Sequence, residues 1–73
     1  MYRLSIDMIS ESDIDFARNN AAGYIGGVEV AEKATDEEVA QLIVLKDTVA
    51  YYQNQALFYE KQYNNLVKAI EKM

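Results

Sequence analysis

Seventy-three residues make one small domain at most, and a chain of this length buries only about 60% of the surface that its unfolded form exposes. The absence of Cys and His excludes disulfides, thiolate and imidazole metal sites, cysteine nucleophiles and His-based triads, so reinforcement of the core is left to partner chains. Twelve acids against seven bases give a net charge of −5, which argues against nucleic acid or an anionic membrane as a direct partner.

The chain reads as a single domain over 1–73, with an arm (1–9), a first helix (10–34) and a long helix (35–73). In the arm, Tyr2, Leu4, Ile6 and Met8 alternate with Arg3, Ser5 and Asp7. That period of two predicts a short extended segment with one apolar face, which needs a partner strand to complete its ladder. No acid-free apolar core marks the start as a signal peptide, and no run approaches the roughly 18 apolar residues of a membrane span. The expected compartment is the cytoplasm, the host's if the chain is phage-encoded.

The second segment opens on Ser10-Glu11-Ser12-Asp13, where either Ser can cap a helix and the acids complement the positive end of its dipole. The stripe that follows, Ile14, Ala17, Ala21, Tyr24/Ile25, Val28 and Ala31, has helical spacing but is thin in side-chain volume. Gly23, Gly26 and Gly27 fall inside it, each costing about 1 kcal/mol relative to Ala in a helix interior. The pattern predicts a kinked helix over about 11–34, with a break at Gly26-Gly27 as the alternative.

Thr35-Asp36-Glu37-Glu38 has the form of a capping box, and no Gly or Pro interrupts the chain beyond it. A helix over about 36–72 would be roughly 55 Å long. Aligned by sevens, its a positions are Leu42, Val49, Ala56, Tyr63 and Ile70, and its d positions are Leu45, Tyr52, Tyr59, Leu66 and Met73. Sustained spacing of this kind predicts a coiled-coil-like seam. The adjacent columns are apolar as well, with Ile43, Ala50 and Leu57 at b and Val44, Tyr51 and Phe58 at c. One preceding helix covers one side only, so the expected architecture is an all-α helical hairpin that assembles as a homodimer or larger bundle.

Catalytic patterns are incomplete. Glu29-x-x-Glu32 puts two acids on one helix face, but a magnesium site of this type needs a second acidic pair. Asp47 and Glu60 are each without an acidic neighbour three or four residues away. Asp13-x-Asp15 lacks the remaining ligands and the glycine of a calcium loop, and Gly23-Tyr-Ile-Gly26-Gly27 lacks phosphate-loop spacing and its Lys-Ser/Thr. No cofactor and no metal are expected.

Candidate binding residues are Arg18, Asn19, Asn20, Gly23, Tyr24, Gly26 and Gly27 around the glycine segment, with Tyr51 and Phe58 on the long helix. Five of the eight aromatic residues lie between Tyr51 and Tyr63, and Tyr is enriched where proteins bind. Small residues near Gly23 and Gly27 also predict close helix packing. The expected function is that of an acidic, non-enzymatic protein that binds another macromolecule as a regulator, inhibitor or adaptor, a type common in phages and mobile elements. Two alternatives are an oligomer that sequesters a nucleotide or aromatic ligand, and an acidic mimic of nucleic acid through residues 7–15 and 29–38.

Overall fold

In the computed structural model, which describes residues 5–52 and 56–73, the helix starts at Ser10 and Thr35 follow the local chemistry closely. Five helices are present among the described residues: α1 (Glu11–Asn19), α2 (Ala21–Tyr24), α3 (Val28–Lys33), α4 (Asp36–Tyr51) and α5 (Leu57–Glu71). No strand occurs among the described residues, and the fold is all-α. Ser10 caps α1 by accepting from the Asp13 amide, while the Asp13 carboxylate accepts from the Ser10 amide at 3.0 Å. Thr35 and Glu38 form the same reciprocal box at the start of α4.

The extended arm is not what forms over residues 5–9. Ile6–Met8 make a 3-10 turn, with the Ser5 hydroxyl accepting from the Asp7 amide and the Ile9 amide donating to the Ile6 carbonyl. With no strand among the described residues to pair with, the backbone closes local hydrogen bonds instead. The earlier part of the expected arm, residues 1–4, lies outside the described residues.

The single helix expected over 11–34 is divided into α1, α2 and α3. One division falls at Asn20, whose side-chain amide donates to the Phe16 carbonyl at 2.8 Å, so the side chain competes for helical acceptors. The other falls at Gly26 and Gly27, as the alternative reading has it, with φ of +95° and +141°. Only glycine takes such angles without strain. The expected packing role of Gly23 and Gly27 is corrected: a Cβ at either meets nothing within 4 Å, whereas one at Gly26 would lie 3.0 Å from Val67 Cγ1 on α5. The close approach is between a glycine turn and a helix.

The long helix over 36–72 is also corrected. α4 ends at Tyr51, and α5 begins at Leu57 and runs back along it. Tyr52 stacks on Tyr59, Lys46 and Val49 line one hollow with Glu60 and Tyr63, and Leu45 lines another with Leu66, so the two helices are antiparallel. A continuous helix would hold Leu42 and Ile70 about 42 Å apart. Here both are fully buried in one core, and the longest dimension of the molecule is 31 Å. A few broken helical hydrogen bonds cost about 1 kcal/mol each, whereas each large side chain brought into the core gains about 1.5–3 kcal/mol. Burial wins.

α4 contacts α1, α5 and the 3-10 turn, which explains why neighbouring Leu42 and Ile43 are both fully buried although they point in different directions. The apolar columns beside the seam, assigned from sequence to another copy or another protein, are thus covered in part by the chain itself. Of the expected oligomer seam, Leu42, Ala56 and Ile70 are buried within one chain. Leu45, Val49, Tyr59, Tyr63 and Leu66 are half-buried, and Tyr52 and Met73 are exposed. The small residues Ala17 and Ala21 pack into the same core, consistent with their place in the thin stripe.

Candidate functional site

The sequence-selected residues fall into two places. Arg18, Asn19, Asn20, Gly23 and Tyr24 line an open hollow of about 530 Å³ beside α1 and α2, together with Phe16 and Val28. Most of its polar groups already have work within the fold. The Arg18 guanidinium donates to the carbonyl of Ala31, to that of Ala34 at 3.0 Å and to Asp36 Oδ1 at 2.8 Å, fastening α1 to the end of α3 and the start of α4. Lys46 Nζ donates to the Gly23 carbonyl at 2.9 Å and lies 5.7 Å from the Tyr24 ring centre. The Tyr24 carbonyl accepts from the Tyr63 hydroxyl at 2.9 Å, and burial raises the Tyr63 phenol above its ordinary pKa of 10.0. Apolar surface is what the hollow chiefly offers, from Phe16 and Val28 and the edge-on pair of Phe16 and Tyr24, 5.6 Å between ring centres.

Gly26 and Gly27 do not line that hollow among the described residues. They form the turn between α2 and α3, and Gly26 backs onto Val67.

Tyr51 and Phe58 lie at the opposite end of the sequence pattern, where α4 finishes and α5 starts. There Leu57 is 82% exposed, Phe58 65%, Tyr51 59% and Tyr52 38%, so large apolar side chains that ordinarily seek a core face outward together. The rings form a chain of contacts. Tyr51 meets Tyr52 edge-on at 4.8 Å, Tyr52 stacks on Tyr59 at 6.0 Å, and Phe58 meets Tyr59 edge-on at 5.5 Å. Aromatic density pointed to Tyr51 and Phe58. It did not single out Leu57 or bring Tyr52 into the binding group, although Leu57 at b and Phe58 at c stand outside the a/d seam, which is the signal that marks them.

No three acidic side chains come together in a way that could hold a metal ion, among the described residues. One member of the Glu29-x-x-Glu32 pair is engaged: Glu29 Oε1 accepts from Lys33 Nζ at 2.9 Å, and the same ammonium donates to the Glu71 carbonyl. No described helix is long and apolar enough to cross a membrane. Comparison with known proteins adds no relative, since no family model, curated protein or solved structure matches the chain.

Proposed function

We propose that this chain is a small acidic, non-enzymatic interaction protein that binds another protein through the end of the α4–α5 hairpin. The observation that carries the reading is the exposure of Tyr51, Leu57 and Phe58 where α4 finishes and α5 starts. Aromatic side chains there give large contact area at low conformational cost, and anchors of this type dominate binding energy at protein interfaces. The net charge of −5 keeps such a surface soluble and steers it toward partners with basic surroundings. Bound to a partner's working surface, the chain acts as a regulator, inhibitor or adaptor by occupying it.

The hollow beside α2 supports a small-ligand reading less well, because the carbonyls of Gly23 and Tyr24 and the Arg18 guanidinium are taken up within the fold. The test is a photo-crosslinking residue placed at Phe58 and, as a control, at Val28, which is 64% exposed on another part of the surface. A protein captured from Phe58 and not from Val28, and lost in the presence of excess unlabelled chain, supports the proposal. Capture that ignores the site, or competition that succeeds equally with a Leu57→Ser/Phe58→Ser chain, defeats it.

A further inference from the structure

We infer that the outward face of α5 extends the proposed binding end, and that the segment it receives from a partner protein is acidic. The inference rests on the reading that Leu57 and Phe58 anchor a protein partner, and it adds that partner's chemistry. It starts from what the cations do. Arg18 is held by two carbonyls and Asp36, Lys33 by Glu29 and the Glu71 carbonyl, and Lys46 by the Gly23 carbonyl. Lys61, Lys68 and Lys72 differ. All three are exposed, and among the described residues none of their ammonium groups has an ion pair or a hydrogen-bond partner.

The second observation is placement. Lys61, Lys68 and Lys72 are seven and four residues apart, which brings them within about 40° of one another round the axis of α5. Leu57 and Phe58 lie on the same face, to either side of this line, and are 82% and 65% exposed. The acids of α5, Glu60 and Glu71, stand about 80–100° to one side. The face therefore runs from an apolar end along about 16 Å of lysines, with no carboxylate of α5 on it. The helix dipole favours cations near the end of α5, which accounts in part for Lys68 and Lys72. It gives no reason for Lys61, one turn from Phe58.

Anchors and charges divide the work of binding. Leu57 and Phe58 supply the apolar area from which affinity comes, while the lysines set orientation and the choice of partner. A segment that satisfies both carries carboxylates beside an apolar residue. The net charge of −5 arises elsewhere in the chain, since residues 5–38 hold nine acids against two bases. That distribution favours a short carboxylate segment over nucleic acid. A phosphate backbone running on beyond α5 meets Glu29 and Glu32 on α3, which packs beside α5, and is repelled there.

The test selects ligands for the full chain from a bead-displayed library of random peptides of the same length as α5. Selection should enrich Asp and Glu together with Leu or an aromatic residue. The selected peptides are then titrated by fluorescence anisotropy against the parent chain and two variants. Lys61→Gln/Lys68→Gln/Lys72→Gln should weaken binding roughly tenfold at low salt, and added salt should weaken the parent more than this variant. Leu57→Ser/Phe58→Ser should weaken it about thirtyfold or more. Helicity by circular dichroism should be the same in all three chains, since every altered side chain is exposed. Peptides that need Leu57 and Phe58 but show no acidic enrichment, or that bind the triple-glutamine chain equally well, overturn the inference and leave the proposed function standing. Peptides indifferent to Leu57 and Phe58 overturn both, and so does a library that yields no ligand. A DNA duplex that binds through the three lysines more tightly than any selected peptide assigns the face to phosphate and also overturns the inference.

Discussion

The Tyr63 hydroxyl donates to the main-chain carbonyl of Tyr24 at 2.9 Å, and this bond ties α5 to the end of α2. Tyr63 also occupies an a position of the heptad pattern, so one side chain closes the hairpin and holds the short second helix against it. Tyr63→Phe keeps the ring and removes the donor, leaving a partly buried carbonyl unsatisfied. The expected cost is about 1–2 kcal/mol, read from urea unfolding at neutral pH.

The same phenol gives the fold an alkaline limit. Burial raises its pKa above the ordinary 10.0 because the phenolate is poorly solvated there. Well below pH 10.0 both folded and unfolded chains carry the protonated phenol, and this group leaves stability independent of pH. As pH rises past that value, the unfolded chain ionises first and is favoured, so stability falls until the folded-state pKa is passed. Thermal melts between about pH 9 and 12 should show a smaller decline in Tyr63→Phe than in the parent chain. Parallel declines would place the alkaline sensitivity elsewhere.

Arg18 is a fastening residue by the same reasoning. Its guanidinium serves two carbonyls and one carboxylate from a half-buried position, joining α1, the end of α3 and the start of α4. Arg18→Ala should destabilise by about 2 kcal/mol, since hydrogen bonds to a charged donor are lost and the carbonyls stay behind. Arg18→Lys should recover less than half of that. A single ammonium on a flexible stem lacks the planar fork that reaches several acceptors at once. Denaturant midpoints of the three chains compared at equal m-value decide the order.

The glycines separate three situations that look alike in sequence. At Gly26 a methyl group would meet both a positive φ and the Val67 side chain, so Gly26→Ala should cost about 2–3 kcal/mol. At Gly27 the space is open but φ is +141°, and strain alone should cost about 1–2 kcal/mol. At Gly23, inside α2 with open space and no positive φ, alanine should stabilise by about 0.5–1 kcal/mol. Thermal melts that rank the three differently would mean the turn is built in another way.

These cases show which parts of the fold the sequence discloses. Helix starts at Ser10 and Thr35 were legible because a capping box is complete within four residues. The end of α4 was not, because no Gly or Pro encodes it; it is set by what Leu42 and Ile70 gain on meeting in one core. Arg18 and Lys46 were visible as charges, but their acceptors are mainly main-chain carbonyls, which every residue carries and no sequence pattern marks. At the candidate site Tyr51 and Phe58 stood out through aromatic density. Leu57 and Tyr52 joined them only once the hairpin turned between α4 and α5.

The final prediction sets the exposed end against the core, since both are made of the same residue types. Leu42 and Ile70 are fully buried, and close-packed surroundings ordinarily fill only part of the space a truncation leaves. Leu42→Ala or Ile70→Ala should each cost about 2–5 kcal/mol, a large part of what so small a domain has. Leu57, 82% exposed, loses little on truncation, and Leu57→Ser should move stability by no more than about 0.5 kcal/mol. Phe58→Ser should behave alike apart from its edge-on contact with Tyr59, which adds about 0.5–1 kcal/mol. Under the proposed function the ranking inverts when binding is the readout: Leu57→Ser and Phe58→Ser weaken partner capture at unchanged helicity by circular dichroism, while core truncations lose capture only as far as they unfold the chain. If Leu57→Ser destabilises as much as Leu42→Ala, the end of the hairpin is part of the core and its exposure has no functional meaning.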